Sequence, residues 1–150
     1  MKAYYPSSDG ILKGVVMMNQ DDITYAQKII EVTQRLCETS NDVESITNSK
    51  EMSIEKLRKN NLGYMMAVNS YKKCRSELSK FNPPGIVQQE HADFMKAVQM
   101  FIEGTELMYR GVCLCSFTVN EELINEGFSL EQQGKIHAVW LADTIAKKLK

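Results

Sequence analysis

The chain has 150 residues, of which 43% are hydrophobic and 25% are charged. This composition predicts one compact domain that can fold without a metal or a disulfide, and it excludes collagen-like and low-complexity chains. Its 18 Lys and Arg residues against 19 Asp and Glu residues give a formal net charge of −1. That balance excludes a basic nucleic-acid-binding arm, so we expect no specific nucleic-acid partner.

The first 21 residues precede any long helical pattern and are predicted to form an N-terminal arm. The arm's apolar residues lie at positions 11–18, a stretch that contains Lys13 and is followed by no small-residue cleavage site. It is therefore an unlikely signal peptide, and no apolar run approaches the roughly 18 residues of a membrane span. We expect a cytoplasmic protein, unless a precursor segment has been removed.

Four long helical patterns follow the arm, in residues 22–150. The first covers about residues 22–46, with apolar side chains at 4-3-4 spacing from Tyr25 to Ile46. The second covers about residues 53–81 and begins at Ser53, which can cap it. The segment Asn82-Pro83-Pro84-Gly85 separates it from the third helix, because proline cannot continue a helix.

The third helix is predicted over about residues 86–115 and has the most regular apolar stripe, from Val87 to Cys115. The fourth is predicted over about residues 120–149, with Asn120 as its N-terminal cap. Its expected inward face consists of Leu123, Leu130, His137, Leu141 and Thr144, with Gly127 and Gly134 in register. Short connections between long helices predict an all-α, up-down four-helix bundle.

The two helical glycines of the fourth helix have two interpretations. Gly127 and Gly134 allow either another helix or a small ligand to approach closely. In the second case Gly127, Gly134, His137 and Trp140 would form one wall of a ligand site between helices. Each histidine also lies on an apolar face, where the ordinary interpretation is a neutral ring that donates to a buried carbonyl or carboxylate. The alternative is a pH-sensitive or ligand-contacting group in the bundle interior.

Charge is distributed unevenly between the first two helices. Residues 20–48 contain two basic and six acidic residues, whereas residues 50–80 contain eight basic and three acidic ones. Opposite charges on neighbouring helices can simply pair with each other. Alternatively, the basic residues form a ridge that binds an acidic partner, and its members are Lys56, Arg58, Lys59, Lys72, Lys73 and Arg75.

No catalytic, metal or cofactor pattern is present in the sequence. There is no phosphate-binding loop, dinucleotide-binding fingerprint or nucleophile elbow, and neither histidine belongs to a Glu-x-x-His pair. The four cysteines form no CxxC pair. Cys113 and Cys115, two apart in a predicted helix, would point in different directions. We therefore expect no cofactor and reduced thiols, most of them packed as small apolar groups.

Nine methionines are more than an ordinary core requires. Methionine is flexible and is common on adaptable binding surfaces. The adjacent pair Met65 and Met66 can mark such a surface, although ordinary core packing explains it too.

One stretch resembles a known pattern. It contains Phe81-Asn82-Pro83-Pro84 and then a helix whose spaced residues are Glu90, His91, Phe94, Ala97, Phe101, Gly104 and Leu107. This is similar to small, mostly uncharacterised helical proteins of Bacillus-type bacteria and their phages, many of which are lipoproteins. The similarity covers about 35 residues, and the lipobox cysteine and leader of the exported members are missing. The resemblance implies a helical bundle and no particular activity.

Together these features predict a non-enzymatic interaction module that binds a protein partner in a regulatory or phage–host role. The alternative is a small-ligand sensor or sequestering protein with a site between helices. A homodimer is also expected, because two apolar surfaces are left over. One is the arm, and the other is a face of the fourth helix around Phe128, Trp140 and Ile145.

Overall fold

The computed structural model describes residues 20–49 and 53–150. Its four helices confirm the predicted all-α four-helix bundle. They are α1 Gln20–Thr47, α2 Ile54–Leu78, α3 Gln88–Arg110 and α4 Glu121–Lys148. Residues 1–19, which hold the predicted apolar arm, lie outside the described residues. Residues 20 and 21, assigned to the arm from the sequence, belong to α1.

Two of the helix starts are capped as the sequence indicates. The Ser53 side chain accepts a hydrogen bond from the Lys56 backbone N–H at 3.1 Å, and the Asn120 side chain accepts one from the Leu123 N–H at the same distance. Each cap satisfies an amide that has no partner within its own helix. A 3-10 turn at Gly85–Val87 follows the double proline and leads into α3.

The helices pack as a square in which α1 contacts α2, α2 contacts α3, α3 contacts α4, and α4 contacts α1. The antiparallel course of α3 and α4 brings the Lys148 ammonium to 2.5 Å from a Glu90 carboxylate oxygen. In this arrangement α2 and α4 occupy diagonal corners. Their outward faces therefore point to opposite sides of the bundle.

Large aromatic side chains fill the centre. Tyr71 and Phe101 are fully buried, and their ring centroids lie 4.9 Å apart at an interplanar angle of 45°. Such tilted pairs add to the free energy gained by burying the rings themselves. Except at the C-terminal end, the predicted stripe of α3 is confirmed as core, from Val87 and His91 to Met108.

The tightest packing lies between α3 and α4, where glycines face each other. A Cβ atom placed on Gly104 would lie 2.7 Å from the Glu131 backbone nitrogen, and one on Gly127 would press against the Gly104 carbonyl oxygen. A Cβ on Gly134 would lie 2.9 Å from the Ala97 carbonyl oxygen. The two helices approach this closely because these positions carry no side chain.

The predicted C-terminal end of the third helix is wrong. The helix ends at Arg110, and a short antiparallel hairpin follows, in which β1 (Val112–Cys113) pairs with β2 (Thr118–Val119). The Asn120 N–H donates to the Gly111 carbonyl at 2.7 Å and closes the hairpin against the helix end. Valine and threonine in the two strands favour extended backbone, and Phe117 in the loop between them has a positive φ of 54°. Cys113 and Cys115 are consequently exposed at the hairpin, not packed on a helix face.

The predicted inward face of α4 is also displaced. Leu141 is buried, but Leu123, Leu130 and Thr144 are only partly buried and His137 is exposed. The core residues of α4 are Ile124, Gly127, Glu131, Gly134, Ala138, Leu141 and Ile145. The close contact at the glycines sets this rotation, because only the face that carries them can meet α3.

None of the helices in the described part of the chain is long and apolar enough to cross a membrane.

Candidate interaction surfaces

The outward face of α2 carries three exposed apolar side chains. Leu62 is 51% exposed, Met65 40% and Met66 62%. They are spaced three and four residues apart and so lie together on one side of the helix. Side chains this open to solvent do not fit the core-packing interpretation of the methionine pair.

Cations flank this apolar group at both ends. Arg58 and Lys59 lie one turn before Leu62, and Lys73 lies two turns after Met66. All three are exposed, and none forms an ion pair within residues 20–49 and 53–150. We call Arg58, Lys59, Leu62, Met65, Met66 and Lys73 the α2 surface.

The other three members of the predicted basic ridge point elsewhere. Lys72 pairs with Glu106 of α3 at 3.4 Å, and Arg75 donates to the Gln99 side chain of α3 at 2.7 Å. Lys56 lies seven residues before Gly63, on the stripe that faces α1. The six cations that were predicted to form one ridge therefore do not share one face of α2: three belong to the α2 surface and three point elsewhere.

Pairing between an acidic α1 and a basic α2 is not what the structure shows. In the ion pairs between these helices α1 supplies the cations and α2 the anion, because Arg35 and Lys28 of α1 bind Glu77 of α2. Arg35 donates to both carboxylate oxygens at 2.9 Å, and Lys28 donates at 2.7 Å. Hydrogen bonds from these cations lower the pKa of Glu77 to about 2. Arg58, Lys59 and Lys73 of α2 are left facing solvent.

A second surface lies on α4. Ile136, Val139 and Trp140 are exposed there, and Trp140 is 64% exposed. Trp140 and His137 also line a groove of about 350 Å³ between α3 and α4, together with Met100 and Ala97. Ile145, which the sequence suggested for this face, is fully buried in the core, and Phe128 is half-buried.

The predicted ligand wall is not assembled as one unit. His137 and Trp140 share the groove, but Gly127 and Gly134 are buried against α3. Their space is occupied by the backbone of α3, at Gly104 and Ala97. Of the two interpretations of these glycines, the close approach of a helix is the one that the structure shows.

Sequence reasoning missed a buried carboxylate at the centre of the bundle. Glu131 is fully buried and accepts hydrogen bonds from the Tyr71 hydroxyl and the Gln132 side chain, each at 2.7 Å. The same Gln132 nitrogen lies 3.4 Å from the buried Ser40 hydroxyl. Burial raises the pKa of Glu131, although its hydrogen bonds oppose that shift. The seven-residue spacing from Ile124 through Glu131 to Ala138 could have identified it.

His91 is paired with Tyr25 inside the bundle. Its Nδ1 atom lies 2.7 Å from the Tyr25 hydroxyl, and both side chains are buried. Burial lowers the pKa of His91, which favours the neutral ring that can accept this hydrogen bond. The pair joins α1 to α3; the ring is buried as predicted, but its partner is a tyrosine hydroxyl and not a carbonyl or carboxylate.

Comparison of the chain with protein-family models, with curated proteins and with solved structures gives no match.

Proposed function

We propose that this chain is a non-enzymatic interaction module whose α2 surface binds a protein partner. The observation that carries the proposal is the exposed apolar group on α2, flanked at both ends by cations that form no ion pair within the described residues. Burying Leu62, Met65 and Met66 would gain hydrophobic free energy, and the cations would orient the partner. The matching partner is an amphipathic segment with apolar residues at its centre and Asp or Glu at both ends.

A protein fits this surface better than a nucleic acid does. Protein–DNA interfaces are polar and strongly cationic, whereas the centre of the α2 surface is apolar. Flexible methionines also suit a partner helix, because they adapt their rotamers to its side chains. The proposal includes a regulatory or phage–host role in the cytoplasm.

The test is site-specific photo-crosslinking with the full chain in an extract of its own source cells. A photoreactive residue at position 66 should capture one acidic protein, and the same residue at Gln34, which is exposed on α1, should not. Capture should fall when Arg58, Lys59 and Lys73 are all changed to Glu, because the steering charge is reversed. Equal capture at positions 34 and 66, or no capture at position 66, would contradict the proposal.

We also propose that the chain forms a homodimer through the exposed face of α4. An apolar cluster such as Ile136, Val139 and Trp140 is more typical of an interface than of a free surface. Because α4 lies diagonally opposite α2, a dimer of this kind leaves both α2 surfaces free. The apolar residues of the arm, Ile11, Leu12, Val15, Val16 and Met18, lie outside the described residues. The sequence leaves two arrangements open, in which the arm covers its own bundle or crosses to the second chain, and the dimer proposal takes the crossing.

The full chain should therefore sediment as a dimer at micromolar concentration. Deleting residues 1–19, or changing Trp140 to Ala, should give a monomer that remains helical by circular dichroism. Ile86→Ala is the matched control, since Ile86 is exposed and apolar but lies at the end of the bundle; it should stay dimeric. A full chain that is monomeric at high micromolar concentration would contradict the dimer.

A small-ligand sensor is the second candidate function, favoured by the groove that His137 and Trp140 line. Its volume of about 350 Å³ falls in the range of small-molecule sites. Native mass spectrometry of the freshly purified protein distinguishes a small-ligand site on α4 from a dimer interface there. A co-purified small molecule lost in Trp140→Ala would support the sensor, whereas a ligand-free dimer would support the interface.

A further inference from the structure

The four helices form two pairs that are held together in different ways. In the pair α3–α4, backbone meets backbone at Gly104, Gly127 and Gly134, where no side chain separates the helices. In the pair α1–α2, two cations of α1 bind Glu77 of α2. One chain segment, residues 79–87, connects the two pairs. We call the boundary between the pair α1–α2 and the pair α3–α4 the seam.

Hydrogen bonds between side chains cross the seam inside the bundle. They are Tyr71 of α2 to Glu131 of α4, Tyr25 of α1 with His91 of α3, and Gln132 of α4 to Ser40 of α1. Buried polar groups hold two surfaces together only while each group keeps its partner. A change of charge on one of these side chains therefore acts on the contact between the pairs, and not on the glycine contact within α3–α4.

Glu131 is an acidic side chain of the seam, and its surroundings favour the protonated form. The side chain is fully buried, and its hydrogen-bond partners are neutral, the Tyr71 hydroxyl and the Gln132 amide, each at 2.7 Å. It forms no ion pair within residues 20–49 and 53–150. Removing an unpaired carboxylate from water is unfavourable, so a carboxyl group in this position keeps its proton more readily than one in solvent.

The other groups that face Glu131 do not supply a paired positive charge. The ionisable ones on neighbouring helices are Tyr71 and Tyr64 of α2 and Cys37 of α1. Burial raises the pKa of all three, so each stays neutral where a carboxyl group ionises. From α3, Gly104 lies beside the Glu131 Cβ atom and has no side chain. Lys135 of α4 donates to Asn41 of α1 at 3.1 Å, and its charge only partly offsets the effect of burial on Glu131.

We propose that a proton on Glu131 controls the seam: the protonated carboxyl group keeps the two helix pairs together, and loss of the proton to solvent lets α1–α2 separate from α3–α4. The 2.7 Å contact with Tyr71 accommodates the proton, because the hydrogen can lie on the Glu131 oxygen and point to the Tyr71 oxygen. Water stabilises the ionised form better than two neutral donors do, so ionisation favours the state that admits water.

The pH dependence of this opening has a definite sign. The pKa of Glu131 in the closed bundle lies above the ordinary 4.5. Between these two values the closed bundle holds a proton that the open form releases, so opening becomes more favourable as the pH rises. The equilibrium constant for opening should increase up to tenfold per pH unit and level off above the pKa of the closed bundle. This inference does not rest on the proposed partner of the α2 surface.

Hydrogen–deuterium exchange measured by mass spectrometry tests the proposal on the full chain. Wild type and Glu131→Gln are compared at equal pH in a series that begins at 4.5, so the intrinsic exchange rates and the contribution of His91 cancel. The new amide can donate to Tyr71 and accept from Gln132, as the protonated acid does. We expect α1 and α2 to exchange faster in the wild type, by a ratio that grows up to tenfold per pH unit. The ratio for α3 and α4 should stay much smaller.

Two further variants complete the design. Glu126→Gln is the matched control, because Glu126 is an exposed glutamate of the same helix, and it should exchange like wild type at every pH. Tyr71→Phe keeps the carboxyl group but removes a donor to its ionised form. A hydrogen bond to a charged carboxylate is stronger than one from the neutral acid, so the levelling-off should move to higher pH in this variant.

Three results would overturn the proposal. The first is an equal pH dependence of exchange in wild type and Glu131→Gln. The second is an equal acceleration in all four helices, which would show that the bundle opens as one unit. The third is a levelling-off in Tyr71→Phe at or below the wild-type pH, a comparison that remains decisive if Glu131→Gln does not fold.

Discussion

Changing Gly127 to Ala should destabilise the bundle by about 2 kcal/mol, although alanine is the better helix former by about 1 kcal/mol. The added Cβ would press against the Gly104 carbonyl oxygen and would lie 2.9 Å from the Met108 Cγ atom. A backbone carbonyl cannot rotate away, so α3 and α4 must separate. A larger residue such as leucine should cost more.

Gly63→Ala is the matched control, because Gly63 is also helical. Its added Cβ would meet the end of the Ile46 side chain, which can change rotamer. We expect little change or a slight gain in stability there. Both free energies of unfolding can be measured by urea denaturation followed by circular dichroism. Equal losses at the two positions would show that the contact between α3 and α4 has no special role.

Changing His91 to Ala should cost roughly 1–4 kcal/mol of stability. The change leaves a cavity beside Tyr25 and removes the partner of its buried hydroxyl group. Tyr25→Phe removes only the hydroxyl and should cost about 1 kcal/mol. The double variant should lose less than the sum of the two, because the two side chains share one hydrogen bond.

The pH dependence of stability gives a second measure of His91. Burial holds its folded-state pKa below the ordinary 6.5, so the unfolded chain binds the proton more readily in that interval. Wild-type stability should therefore fall as the pH drops from 6.5 towards the folded pKa, and His91→Ala should lose this dependence. Unchanged stability in His91→Ala, together with lost binding, would show that the residue has a functional role instead.

Helix positions and the stripe of α3 could be predicted because apolar spacing and prolines determine them locally. The end of α3 could not be predicted, because it depends on the pairing of β1 with β2 and on the Asn120–Gly111 hydrogen bond, which form only after the chain has turned. The predicted inward face of α4 is wrong because the prediction relied on Leu123, Leu130 and His137, which do not lie at the centre of the buried face. Two neighbouring seven-residue series give the correct face: Glu131 belongs to 124–131–138–145, and Gly127 and Gly134 belong to 127–134–141.

The charged surface was predicted only in part. Residue counts showed an excess of cations on α2, but they could not show that Glu77 is held by Arg35 and Lys28 of α1. Nor could they place Lys72 and Arg75 towards α3. The exposed Leu62 completes the α2 surface, and it became apparent only once the rotation of the helix was known.

The central claim, that the α2 surface binds a protein, is tested most directly by the affinity of the crosslinked partner for the full chain. Leu62→Ala with Met66→Ala should weaken binding about thirtyfold, the effect of about 2 kcal/mol at an apolar anchor. Both side chains are more than half exposed, so the fold should keep its stability. Gln34→Ala should bind like wild type. Unchanged affinity in the folded double variant would contradict the account.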